Sequence, residues 1–249
     1  MEMSWFPTIE SQGDKLTNGD IFCLPYAGGS ARNFDKWTSA QPLFRLIPVE
    51  YPGRGKRIDE QPLETIASLS QQLTNAIISS NPEKFALFGH SMGADIAFQS
   101  AKYLCKLGKV PSCVFLSARQ APLVPSRTKE IHNLPRADFE KGLLLLGGTN
   151  RQVIASSELM ELFEPILRAD FRLAEERRFD SLSPVDTPII TITARDDPYV
   201  LEDDTKGWKK FTSREYYHWS VLGDHFSVLE SPKSLLQMMS NYLSKSCGW

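Results

Sequence analysis

Residues 89–93 read Gly-His-Ser-Met-Gly, a serine with a glycine two positions to either side. The run 85–88 before it has the apolar composition of a buried strand, and the residues from Met92 onward have helical spacing, so the serine belongs to a strand-to-helix turn. Such a turn forces Ser91 into a strained backbone region, and the flanking glycines remove the Cβ atoms that would collide there. Its Oγ is then held above the sheet edge, where it can attack an acyl carbon. The N-terminus of the next helix lies under it, so the Met92 N–H can donate to a tetrahedral oxyanion. A second donor is expected from a loop after an early strand. Pro25-Tyr26-Ala27-Gly28-Gly29-Ser30 follows the run 21–24, and its two glycines let backbone approach a ligand, which nominates the Ala27 N–H. Without the serine motif downstream, that loop would read as a simple Gly-Gly turn.

A serine hydroxyl is a poor nucleophile at neutral pH and needs a base within hydrogen-bond reach. The chain has four histidines. His90 adjoins the serine with its side chain expected to project away, and His132 precedes any downstream acid. His218 falls inside the run 216–222 as a packed or surface strand residue. His225, in Leu222-Gly223-Asp224-His225-Phe226, follows the last predicted strand, and parallel topology brings that loop to the edge that carries Ser91. The rival reading, a loop histidine that caps the next helix, fits the order serine, acid, histidine less well. The orienting acid is expected after the penultimate strand, in Ala194-Arg195-Asp196-Asp197-Pro198. Asp197 is the first choice and Asp196 the reserve, while Asp203, Asp204 and Asp224 read as helix-start or surface charges.

The elements that must position these residues follow from apolar runs at 21–24, 46–51, 85–88, 114–117, 189–193 and 216–222, each rich in β-branched or aromatic residues. Ala94, Ala97, Phe98, Ala101 and Leu104 form a helical stripe ahead of Gly108. Strands alternating with helices imply a mostly parallel sheet with right-handed crossovers. The stretch from about 122 to 184 breaks the alternation with helical patterns and no convincing strand. It reads as a helical insertion, either a lid over the ligand edge or a surface excursion that completes the core.

With 249 residues and 41% apolar composition, a single α/β domain over 1–249 is expected. A net charge of -2 offers no basic field for nucleic acid. Residues 1–19 lack a secretory pattern, and no run approaches the roughly 18 apolar residues of a membrane span. Cys23, Cys105, Cys113 and Cys247 are scattered without metal-ligand spacing, which fits a reduced, cytoplasmic protein without a metal site. No heptad run points to a coiled coil, and a monomer is expected.

Taken together, these blocks resemble the type II thioesterases, the stand-alone editing enzymes of nonribosomal peptide and polyketide synthases. Beyond 85–94, the resemblance rests on Pro25-Tyr26-Ala27-Gly28-Gly29, Trp37, Tyr51-Pro52-Gly53-Arg54-Gly55 with Arg57, and Leu116-Ser117-Ala118-Arg119 leading to Ala121-Pro122. In the insertion it includes His132-Asn133-Leu134-Pro135, Leu146-Gly147-Gly148-Thr149 and Leu167-Arg168-Ala169-Asp170-Phe171, and beyond it Asp197-Pro198, Trp208 and Gly223-Asp224-His225-Phe226. Ala194 departs from the usual glycine, and Ser227 from a frequent second aromatic. The resemblance implies an α/β-hydrolase fold with a helical lid, a triad of Ser91, Asp197 and His225, and oxyanion donors at Ala27 and Met92. It implies hydrolysis of stalled or incorrect acyl, aminoacyl or peptidyl thioesters on the phosphopantetheine arm of a carrier protein, with no cofactor of the enzyme's own.

Two other readings remain open from sequence: a small-molecule carboxylesterase or lipase of the same fold, and a non-catalytic protein that docks to a carrier. The cluster Arg54, Lys56 and Arg57 could meet an acidic carrier helix or the phosphate of its arm, but so short a cluster reads better as a solvated or internally paired loop.

Overall fold

The computed structural model describes residues 5–7, 18–40 and 44–249. Most of the N-terminal stretch that was read for a secretory pattern lies outside them. Six strands, β1 (Asp20–Leu24), β2 (Arg45–Pro48), β3 (Phe85–His90), β4 (Val114–Ser117), β5 (Ile189–Ala194) and β6 (Tyr216–Val221), form one sheet in the order β2-β1-β3-β4-β5-β6. Every pairing in it is parallel. Strand β2 stops at Pro48, short of the expected residue 51; Val49 still bonds to Cys23 O, but Glu50 N–H turns to Trp5 O. Strand β3 runs two residues beyond expectation because Gly89 and His90 remain in register with Leu116 and Ser117.

Helices cover both faces: α1 (Asp35–Thr38), α2 (Ile66–Ser80), α3 (Met92–Lys106), α4 (Arg136–Leu146), α5 (Arg151–Ala155), α6 (Ser157–Glu176), α7 (Glu202–Thr205), α8 (Ser227–Glu230) and α9 (Lys233–Ser246). Alternate side chains of each strand feed opposite cores, as the two-residue pleat requires. Phe22, Leu24, Leu87, Val114, Leu116 and Ile189 pack with α2, α3 and Trp208. Ile21, Cys23, Phe88, Phe115, Ile190 and Ile192 pack on the other side with Phe34, Trp37 and α9. The stripe expected on α3 is fully buried, and the helix is enclosed beyond it, with Asp95, Gln99 and Ser100 also inside.

The segment 122–184 contains α4, α5 and α6. Its junction with the sheet is ionic. Asp95 of α3 is completely buried and takes hydrogen bonds from Arg119 Nε at 2.6 Å, from Arg177 Nε at 3.0 Å and from Arg177 Nη2 at 2.8 Å. The same arginines reach on to backbone carbonyls, Arg119 to Ala174 and Arg177 to Gln120 and Ala121. One carboxylate thus ties α3, the loop after β4 and the end of α6.

Burial opposes the charge on Asp95, but the two guanidinium groups outweigh it and hold the carboxyl below its ordinary range. Arg119, desolvated and facing a second cation, falls to about 10 and stays charged at neutral pH. Asp95→Asn leaves two buried arginines without their anion and is expected to cost roughly 3–5 kcal/mol at pH 7. Because the folded carboxyl binds its proton less tightly than the unfolded one, this contribution is complete above the unfolded pKa of about 3.9 and is lost as pH falls through the lower folded value. Urea unfolding of wild type and variant from pH 7 downward should therefore show the gap narrowing only in acid.

Candidate active site

Strand β3 delivers the chain to Ser91, whose backbone has φ 52° and ψ -118°, a conformation that costs a non-glycine residue on the order of 1–3 kcal/mol. Hydrogen bonds from Ser91 N to Ser117 O and from Ala94 N to Ser91 O, both 2.9 Å, hold it there. The flanking glycines have no substitute. A Cβ at Gly89 would lie 2.1 Å from Gly93 O, and one at Gly93 would lie 2.3 Å from Leu24 O.

Ser91 and His225 line the same cavity, of about 80 Å³, at the carboxyl edge of the sheet. His225 Nδ1 is 2.8 Å from Asp197 Oδ2. The other carboxylate oxygen of Asp197 accepts from Tyr199 N at 2.8 Å and Val200 N at 3.2 Å, so its orientation toward the imidazole is fixed by its own loop. Asp197 is 2% exposed while Asp196, the reserve, faces solvent, which separates two neighbours that sequence could only rank. The imidazole of His225 is packed among Tyr199, Phe226 and His90, with ring centroids 5.5, 4.9 and 5.2 Å away.

The remaining histidines have other employment. His90 turns away from the cavity into the core, its Nδ1 3.1 Å from Ser117 Oγ. Burial, aided by repulsion from His225, drives its pKa well below the ordinary histidine value, so it stays neutral. His132 pairs through Nδ1 with Glu175 inside the insertion. His218 on β6 is 3.0 Å from Thr191 Oγ1 and 3.2 Å from Thr193 Oγ1, and burial again disfavours its charged form. Asp224 and Asp203 are exposed. Asp204, expected to be a helix-start charge, does accept from Leu201 N at 3.0 Å, and it also forms a bidentate pair with Arg127 that sequence reading did not foresee.

Of the two candidate oxyanion donors, Ala27 lines the cavity. The Met92 side chain is buried beneath, and its N–H belongs to the first residue of α3, where no intrahelical acceptor exists. Among the cavity residues, Gln120, Ala174, Glu175 and Tyr199 had no signal in the sequence, while Tyr26, Arg119, Phe171 and Phe226 stood in the family blocks without a role of their own. Arg119, Gln120, Phe171, Ala174 and Glu175 form the inner wall, and Tyr26, Tyr199 and Phe226 stand nearer the triad candidates. Glu175 is held from below by Ile131 N at 2.8 Å and His132 N at 3.2 Å. Ser227, one of the two departures from the family pattern, has a specific job: its Oγ accepts from Asp224 N and donates to Asp224 Oδ1, both at 2.8 Å, pinning the loop that carries His225.

The basic cluster divides. Arg57 is buried over the Trp5 ring and paired with Glu60, and Arg54 is buried against Asp170. Lys56 alone is exposed.

The family model described as "Thioesterase domain" matches residues 20–243. The chain belongs to the thioesterase family. It is 32% identical over 241 residues to the gramicidin S biosynthesis protein GrsT of Aneurinibacillus migulanus, covering 96% of this chain and 93% of that one. It is 30% identical over 232 residues to the thioesterase PikA5 of Streptomyces venezuelae, covering 92% and 82%. Among solved structures, YbtT, a type II thioesterase from the yersiniabactin NRPS/PKS pathway, superposes with a TM-score of 0.87 at 28% identity over 93% of this chain and 95% of that one. This thioesterase is of the type II class of nonribosomal peptide and polyketide pathways, as its sequence blocks implied. No helix among the described residues is long and apolar enough to cross a membrane.

If Asp197 orients the imidazole, Asp197→Asn should lower kcat for a soluble acyl thioester by roughly 10³–10⁴-fold, as loss of a triad aspartate does elsewhere. Asp196→Asn should stay within about twofold of wild type, since an exposed charge there touches none of the reacting groups. Steady-state thiol release from both variants distinguishes the two aspartates.

Proposed function

We propose that Ser91, His225 and Asp197 form the catalytic triad of this thioesterase, that the N–H groups of Ala27 and Met92 form its oxyanion hole, and that its substrates are acyl groups carried on the phosphopantetheine arm of carrier proteins. The observation that carries the reading is the 2.8 Å contact between His225 Nδ1 and the buried Asp197, in a cavity that His225 shares with a serine held in a strained turn.

The chemistry follows from those groups. Ser91 Oγ attacks the thioester carbonyl carbon while its proton passes to His225 Nε2. Asp197, hydrogen-bonded at Nδ1, fixes the tautomer that leaves Nε2 free to accept and stabilises the imidazolium that results. Negative charge on the carbonyl oxygen is met by the two N–H donors. The carbon–sulfur bond then breaks and His225 returns the proton to sulfur. Little protonation is demanded at that step, because a thiol of pKa about 8.5 is already a competent leaving group. Water, deprotonated by His225, attacks the acyl-enzyme, and the acid leaves as Ser91 recovers its proton.

The insertion serves as the cover of the cavity in this reading. Tyr199 OH donates to Leu145 O at 2.7 Å, and Gly147 and Gly148 lie against Phe226, so the end of α4 closes over the histidine loop. Displacement of α4 and α5 would admit a tethered arm. Cavity size supports short acyl groups: about 80 Å³ is roughly half the 150 Å³ that accommodates benzene in an engineered core.

A panel of acylated carrier proteins followed by intact mass tests the proposal. Wild type should strip acetyl and propionyl groups at least about tenfold faster than decanoyl, as expected when added methylenes no longer fit the wall. Ser91→Ala should leave every member of the panel loaded while still binding the carrier. Equal rates on carrier-bound and simple p-nitrophenyl esters would instead favour a general esterase.

A further inference from the structure

The turn that holds Ala27 is gripped from the insertion. Asp170, on the C-terminal half of α6 and 2% exposed, accepts the Gly28 N–H at Oδ2 over 2.7 Å. Arg54 Nη1 donates to the same oxygen at 2.5 Å, and Nη2 donates to Oδ1 at 2.9 Å. Nη1 also reaches Gly29 O at 3.2 Å. Leu167, nearly one helical turn earlier, closes on the same spot: Gly28 has φ +77°, and a Cβ there would be 2.6 Å from Leu167 Cδ2. A second insertion contact runs from Tyr26 OH to Gly148 O at 3.1 Å.

Burial works against the Arg54 charge, but the attraction of Asp170 prevails and its proton is held more tightly than usual, so the pair is a committed ion pair. Asp170 does not line the cavity, so it reaches the substrate only through the peptide it holds. That peptide joins Ala27 to Gly28, and the preceding peptide, which carries the Ala27 N–H, is held by the Gly29 N–H donating to Tyr26 O at 2.8 Å, so Asp170 grips the turn in which that N–H sits.

On the catalytic reading above, we propose that Asp170, charge-balanced by Arg54, is a positioning residue that aims the Ala27 N–H at the oxyanion, so the oxyanion hole is complete only while the C-terminal half of α6 sits on the 26–29 turn. The inserted helix is then part of the catalytic apparatus as well as its cover, and opening confined to α4, α5 and the start of α6 would admit substrate without dismantling it.

The test uses Asp170→Ala and Asp170→Asn, the second of which keeps an amide oxygen as acceptor for the Gly28 N–H without the charge. Asp170→Ala is expected to lower kcat about 10–100-fold with KM within about threefold, the pattern of an interaction realised only in the transition state. Its affinity for a boronate that mimics the tetrahedral intermediate should fall in parallel. Amide exchange at 26–29 should accelerate by about tenfold or more, with β3 and α3 still protected. Asp170→Asn should recover most of the kcat that Asp170→Ala loses even where its melting temperature is lower. A rise in KM alone, or unchanged kcat together with unchanged exchange at 26–29, overturns the proposal. Failure of wild type to hydrolyse any thioester would sink the catalytic reading instead, and the exchange measurement would still decide whether Asp170 holds the turn.

Discussion

The architecture depends on how closely two backbones approach beneath Ser91. Gly93 lies so near the end of β1 that a methyl group would meet Leu24 O at 2.3 Å, and Gly89 lies so near Gly93 that a methyl there would meet its carbonyl at 2.1 Å. Glycine at both positions makes this approach possible, and the serine is held at positive φ by its N–H bond to Ser117 O of β4 and by the Ala94 N–H of α3 donating to its carbonyl. The same closeness places the loop after β1 beside the start of α3. The placement of Ser91 and of both candidate oxyanion donors therefore follows from one packing arrangement.

Around that arrangement, two buried carboxylates are paired with arginines at junctions between segments. Asp95 joins α3 to the loop after β4 and the end of α6, and Asp170 joins α6 to the loops after β1 and β2. Buried ion pairs gain little net stability over apolar packing, since desolvation cancels much of the attraction. What they add here is geometry: a guanidinium accepts a carboxylate in few orientations, so each pair fixes the angle between segments that have only loops between them. An apolar contact at the same places would let α6 slide. The insertion thus has a firmly docked C-terminal half, while α4 and the start of α6 leave Leu144, Leu145, Leu159 and Leu162 exposed.

The parts of this molecule that sequence reveals are those with a local signature. All six strands were legible as apolar runs, β1 to β5 because a parallel sheet with buried faces demands them and the half-exposed edge strand β6 by its aromatic composition, and the serine turn was legible because its glycines are a steric necessity. Strand ends were less so: β2 ends at Pro48 although the apolar run continues to Tyr51, since Val49 makes the last bond to β1 and the Glu50 N–H turns to Trp5 O. The preference for Asp197 over Asp196 was a matter of loop phase, which burial and the Tyr199 and Val200 N–H bonds express directly. Arg54 illustrates the opposite limit. Adjacent to Lys56 and near Arg57, it resembles a basic patch, yet its partner lies 116 residues away. No window of sequence contains that pairing, and the same holds for Arg119, Glu175 and the rest of the cavity wall.

That division has a physical reading for specificity within the family. The triad candidates come from β3, from the loop after β5 and from the loop after β6, all anchored in the sheet, whereas the wall that meets an acyl group includes Phe171, Ala174 and Glu175 of α6. A helix fixed by an ion pair at Asp170 and by the hydrogen bond from Arg119 to the Ala174 carbonyl can exchange its cavity-facing side chains without moving the triad candidates. On the proposed reading, the acyl group meets the α6 face that lines the cavity, while the triad candidates stand at the carboxyl edge of the sheet. The buried pairs are the joints that let that face vary while the edge stays in place.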